Sequence, residues 1–220
     1  MDPLLAFAAA LLALRLAGDL ASRYRARRAP QLAAWAASLF AYAVASAALA
    51  WGAAYGWDDV SFRVYYLFGG LLTAALLGAG SLLLVEQRWV VPVVLVYVGL
   101  ACGIALTEPL SSPVGGESIP EAQEYLDFLP ARLLAVLGNS LGTVAVLGVA
   151  ALTFRRRPLA NGLIAAGVAV AAIGTGLSGL GVAETASFIA VAALLFYLGF
   201  VRSGRAAASN AQVDARSQPV

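Results

Sequence analysis

From Phe62 to Val85 the chain reads FRVYYLFGGLLTAALLGAGSLLLV, an apolar run that holds one charge, Arg63. Roughly 20 residues at about 1.5 Å each match a hydrocarbon core of about 30 Å, so this run predicts a membrane-spanning helix. Its polar and small residues are not scattered. Arg63, Tyr66, Gly70, Thr73, Leu77 and Gly80 follow one another in alternating steps of three and four, which places them on one helical face. In a bilayer the greasy face meets lipid, and the small, polar face meets other helices. The run therefore reads as the hub of a helical bundle.

The rest of the chain agrees. Of 220 residues, 61% are hydrophobic and 12% charged, with a mean hydropathy of +0.84. Soluble domains carry about a quarter charged residues, so this composition belongs to an integral membrane protein. A formal charge of +2 is too small for nucleic-acid binding. The chain has no histidine and no lysine, and its one cysteine, Cys102, lies in an apolar run. Histidine-based proton relays, haem ligation and histidine–zinc sites are thereby excluded, as is a lysine Schiff base of the retinal type. An internal disulfide is impossible, and no cofactor or metal is expected. That every base is arginine, among abundant alanine and glycine, suggests a GC-rich bacterial genome and hence a bacterial cytoplasmic membrane.

Seven spans are predicted. The first runs from about Pro3 to Leu20, with Arg15 and Asp19 one turn apart as an interfacial ion pair near its end. Its start carries Asp2 and no base, unlike the front of a secretory signal peptide. The second covers about Gln31 to Tyr55, with Trp51 and Trp57 as interfacial aromatics. The hub is the third, and Trp89 to about Leu106 the fourth. Pro130–Phe154, Leu159–Leu180 and Thr185–Val201 complete the set. Arginine clusters at 23–28, 155–157 and 202–205 alternate with acidic turns at Asp58, Asp59 and Glu184. The positive-inside rule then puts the N-terminus outside and the C-terminus in the cytoplasm. Residues 1–202 read as one seven-helix domain, and 203–220 as a disordered cytoplasmic tail.

The only long loop, Thr107 to Leu129, holds five carboxylates and no base, which suits the outer face. Ser118-Ile119-Pro120-Glu121 has capping-box spacing, and Ala122, Tyr125, Leu126 and Leu129 recur at helical spacing. A short amphipathic helix is expected there, lying at the interface or closing over the bundle as a lid. A faint repeat relates spans 1–3 to spans 5–7, a 3+1+3 plan found among transporters, although charge bias alone would produce most of it.

No motif demands catalysis. Gly176-Leu177-Ser178-Gly179 matches the serine motif of rhomboid-type proteases, but that chemistry needs a histidine base. Gly138 and Gly142 form a GxxxG packing face, and Gly70 and Gly80 do the same work in the hub. The candidate ligand-binding residues are charges at span ends and the polar faces below them. Arg63 tops the hub stripe through Tyr66 and Thr73, Arg132 tops a stripe through Asn139, and Glu184 tops the last span. Two arginines over polar faces could form an outward chamber for a small anionic ligand or a lipid headgroup. The plainer reading carries more weight: Arg63 pairs with Asp59 or Glu184, Arg132 with Asp127 or Glu108, and the pairs only hold helix ends together.

Arg63-Val64-Tyr65-Tyr66, Gly69-Gly70-Leu71 and Leu77-Gly78-Ala79-Gly80-Ser81 resemble a pattern in small uncharacterised seven-span membrane proteins of actinobacteria. More remotely, the chain is similar to the seven-helix sensor regions of bacterial histidine kinases. That resemblance implies a non-enzymatic, sensor-like or ligand-binding module in the lipid bilayer. With a short tail where those sensors carry an output domain, it would act through a protein partner. A small-solute or lipid transporter, and a structural or assembly protein, are the alternatives.

Overall fold

The computed structural model describes residues 3–116 and 118–153, with isolated positions at 159, 162, 163, 166, 167, 170, 191 and 195. Among these residues the fold is all-helical. It comprises α1 (Pro3–Arg27), α2 (Pro30–Tyr55), α3 (Asp59–Leu84), α4 (Val90–Thr107), the single turn α5 (Ala122–Tyr125) and α6 (Phe128–Thr153). Five of the six, all but α5, are long and apolar enough to cross a membrane. Apart from those isolated positions, the predicted sixth and seventh spans lie outside the described residues, as do the Gly176–Gly179 motif, Glu184 and the 203–220 tail.

Helix ends follow local chemistry. α1 continues past its apolar stretch to Arg27, because nothing in Ala21–Arg27 disfavours a helix. It stops where Arg28 takes a positive φ of 52° and Ala29 is held extended before Pro30. Proline at the first position of α2 fits, since the N–H it lacks would have had no helical partner. α2 ends at Gly56, with φ of 87°, whose N–H returns to the Gly52 carbonyl at 3.0 Å. Leu129, extended ahead of Pro130 at φ −110°, ψ 131°, delays regular winding of α6 to the proline.

α1 meets α2 along an alanine seam: Ala6, Ala9, Ala13 and Ala17 are all buried, which lets the two backbones approach. α3 occupies the centre, against α2 on one side and α6 on the other. At one end, Leu49 of α2, Phe62, Tyr66 and Leu71 of α3, Ala101 of α4 and Ala131 of α6 share one apolar cluster with loop residues Trp57, Val114 and Leu126. At the arginine-bearing end, Leu16 and Leu20 of α1, Leu39 of α2, Leu77 of α3 and Val146 of α6 form a second.

The long loop differs from its expected form. Its helix is one turn, and Glu121 stands at the cap position without a side-chain cap bond. Leu126 is already extended, and it is buried together with Val114, while Tyr125 packs its ring 5.5 Å from Phe62. The loop folds Val114 and Leu126 inward and closes the end of the bundle, while Phe128 and Leu129 stay exposed. Two bonds tie it there, Val114 N–H to the Asp59 carboxylate (2.7 Å) and Trp57 N–H to Gly116 O (2.9 Å), and Ser111 N–H to Tyr125 O (3.0 Å) joins the loop to itself. Trp57 belongs to this closure. It is 4% exposed, with its ring against Gly52, so only Trp51 (57% exposed) is an outward-facing aromatic as expected; it packs on Tyr55. Trp57 cannot lie at a lipid interface because the Gly52 backbone leaves a slot that its indole fills.

Candidate functional site

The hub helix starts with a reciprocal cap. Ser61 N–H donates to the Asp58 carboxylate (2.7 Å), and Asp58 N–H donates to Ser61 Oγ (3.0 Å). These bonds favour the ionised form and hold the Asp58 carboxyl below its ordinary value of 3.8. One turn further, Arg63 reaches across to α4. Its Nη1 donates to Ala105 O (2.8 Å) and its Nη2 to Glu108 O (2.7 Å). Both acceptors are carbonyls at the C-terminal end of α4, where the helix has no N–H of its own to offer and its dipole favours a cation. Arg63 therefore joins two helix ends, and the contacts that fix it are to backbone. Asp59, a predicted ion partner of Arg63, instead receives the Val114 N–H.

Beside Arg63 lies a cavity of about 10 Å³ between α3, α4 and the closing loop, lined by Phe62, Arg63, Tyr66, Ile104, Ala105, Glu108 and Leu126. That is room for about one water molecule. Tyr66 is 8% exposed, and its hydroxyl is buried without a hydrogen-bond partner; the Trp57 indole N–H is in the same condition. Buried polar atoms are almost always paired, so an unmet hydroxyl at a water-sized space marks a place where something polar fits. Arg132 stands 5.7 Å over the Phe128 ring, a cation–π contact.

The lower polar residues do other work. Tyr66–Leu72 winds as a π-helix, so the Thr73 N–H reaches back to Phe68 O, five residues away. Thr73 Oγ1 donates to the same carbonyl at 2.7 Å. Asn139 Nδ2 donates to Gly70 O (2.7 Å) and to Ala135 O (2.9 Å). Tyr97 Oη donates to Leu71 O (2.9 Å) and Leu134 O (3.2 Å), and Ser38 Oγ to Thr73 O (2.7 Å). The expected chamber wall of Tyr66, Thr73 and Asn139 is thus divided. Tyr66 faces the cavity, whereas Thr73 and Asn139 bond to carbonyls of the wide turn.

The glycines set how closely helices approach. A Cβ on Gly78 would lie 2.5 Å from Gly142 Cα, and one on Gly142 would overlap the Ala74 carbonyl. Gly80 faces the Trp35 indole, Gly138 the Tyr97 ring and hydroxyl, and Gly70 the Tyr66 ring. Sequence reasoning does not single out Ser38 or Tyr97, and it places Glu108 only as an ion partner of Arg132. A lone hydroxyl in the fourth span was the available signal for Tyr97, whereas Ser38 is one of several hydroxyls in the second. Compared with protein-family models, curated proteins and solved structures, the chain matches none.

Proposed function

We propose that the chain is a non-enzymatic, seven-span protein of a bacterial cytoplasmic membrane, a sensor-like or ligand-binding module that acts through a protein partner. The N-terminus and the closing loop lie outside, and the C-terminus in the cytoplasm. The observation that carries this reading is the unpartnered, buried Tyr66 hydroxyl beside a cavity that Arg63 and Glu108 also line. The Arg63 guanidinium and a phenolic donor at one cavity suit a carboxylate or phosphate, from a small anionic ligand or a lipid headgroup. A space for one water admits only the tip of such a group, so binding requires the closing loop to yield.

The test is native mass spectrometry of the gently purified protein beside Tyr66→Phe, which keeps the ring and removes the hydroxyl. A discrete bound mass in the wild type, lost by at least about tenfold in a folded Tyr66→Phe, is the expected outcome. A bare protein mass in several mild detergents, or a bound mass indifferent to Tyr66→Phe, sinks the ligand site. The second reading, a structural or assembly protein, then takes its place. It is favoured by the glycine–backbone contact of Gly78 with Gly142 and by the carbonyl bonds of Asn139, Tyr97 and Ser38.

A further inference from the structure

The wide turn at Tyr66–Leu72 sits in the middle of the most central helix. A π turn holds one residue more than α winding needs, and such turns occur as single interruptions inside α-helices. In hydrocarbon the interruption persists only if neighbouring groups satisfy the backbone it displaces. Here three helices do so in succession. Asn139 of α6 takes Gly70 O, Tyr97 of α4 takes Leu71 O, and Ser38 of α2 takes Thr73 O. The two flanks of the turn are held very differently. The Thr73–Leu84 part is fixed by backbone-to-backbone contact, Gly78 on Gly142 and Gly142 on Ala74. The Asp59–Tyr65 part is held by side chains: the Asp59 carboxylate accepts from Val114 N–H, Arg63 donates to carbonyls of α4, and Phe62 packs in the apolar cluster.

We infer that Tyr66–Leu72 is a register switch: α3 stores one residue in the wide turn, and the Ser38, Tyr97 and Asn139 clamps hold it in that state. Release of the clamps returns the turn to α winding. Because each residue advances an α-helix by about 100°, the Asp59–Tyr65 segment then turns by about that angle against a stationary Thr73–Leu84. Tyr66 is both the first residue of the wide turn and the bearer of the unmet hydroxyl at the cavity. The cavity and the turn therefore change together. The inference needs no ligand, so it stands or falls apart from the proposed function.

Two single-residue deletions in the full chain test it. Removing Gly69, inside the wide turn, is expected to give a monodisperse protein whose thermal midpoint stays near that of the wild type, since α winding absorbs the loss. Removing Ala75, in the α-wound part, carries Gly78 off Gly142 and is expected to abolish folding. If the Gly69 deletion collapses as the Ala75 deletion does, the turn stores no spare residue and the switch is wrong. Hydrogen exchange on the full-length Tyr97→Phe/Asn139→Ala variant gives a second reading. A turn that rewinds keeps its amides protected while Asp59 turns away from Val114. Exchange across 66–77 then stays within about tenfold of the wild type and that of the Val114 amide rises; an unchanged Val114 amide overturns the inference. A larger rise across 66–77 means the turn frays without rewinding, which also overturns the inference.

Discussion

α3 and α4 invert the usual relation between hydropathy and burial. α4 is the more apolar, with mean hydropathy 2.4 against 2.0, yet only 17% of its most apolar stretch is buried, against half for α3. Both carry glycines at close spacing. Gly78 and Gly80 of α3 press on Gly142 and Trp35, while Gly99 and Gly103 of α4 have nothing among the described residues within 4 Å of where a Cβ would stand. Water drives no sorting inside a bilayer, so apolar surface has no reason to turn inward. What turns inward is surface that lipid serves badly: small residues that permit contact, and polar groups that need partners. The most central helix is accordingly the one with more non-aliphatic residues, and a glycine pair gives contact only where a backbone or ring faces it.

The sharpest way to break this comparison is to give matched glycines the same substitution. Gly142→Val would drive a side chain into the Ala74 carbonyl, which cannot swing aside. Overpacking costs about 1–3 kcal/mol where neighbours can adjust, so a rigid backbone neighbour puts this variant at or beyond about 3 kcal/mol. Gly99→Val meets open space and should fall within about 0.5 kcal/mol of the wild type. Thermal unfolding and size-exclusion profiles in one detergent decide it. Equal losses in the two variants would mean that α4 is packed against a neighbour through Gly99.

How much of this was legible in the sequence follows from the same physics. Helix positions were readable because each is an apolar run ended by a proline, a glycine or a charge cluster, as at Ala29-Pro30 and Gly56. The hub face was legible only in part: Tyr66, Leu77 and Gly80 are buried, but so are Leu71, Leu72 and Ala79 off that stripe, and the wide turn breaks the α register that would place Arg63 to Gly80 on one face. The π winding itself was not, because it depends on donors supplied by Ser38, Tyr97 and Asn139, up to 69 residues away in sequence. The acceptor for Arg63 was also hidden, since a search for charges overlooks backbone carbonyls. Ser118–Glu121 has capping-box spacing yet forms no side-chain cap, whereas Asp58–Ser61, with the same spacing, does.

An intermediate effect is expected where α3 and α4 meet through one side chain. Arg63→Ala leaves Ala105 O and Glu108 O without their donors, and unmet backbone acceptors cost about 1–3 kcal/mol where water does not replace the partner. The loss should localise, with faster amide exchange at the Ala105–Glu108 end of α4 and none at Gly78. Arg63→Lys should recover only part of it, because an ammonium on a flexible stem cannot span two acceptors as a planar guanidinium does. Full recovery by lysine would show that charge at the helix end, and not the two-point bridge, ties α4 to the hub.

The smallest effect belongs to the cap of the hub helix and is best read through pH. The folded-state carboxyl of Asp58 lies below its ordinary value of 3.8, because the Ser61 N–H and hydroxyl favour its ionised form. A carboxyl depressed on folding contributes stability that is complete above its unfolded value and disappears as pH falls through the folded one. Asp58→Asn keeps an oxygen that can accept from Ser61 N–H but removes the titration, and asparagine caps helices about as well as aspartate. Between about pH 6 and pH 3 the wild type should therefore lose slightly more of its thermal midpoint than Asp58→Asn does, while the other carboxylates contribute equally to both. Parallel pH profiles would mean that the Ser61 bonds do not distinguish charged from neutral carboxyl, and that the start of α3 is held by the Val114 and Trp57 bonds of the closing loop alone.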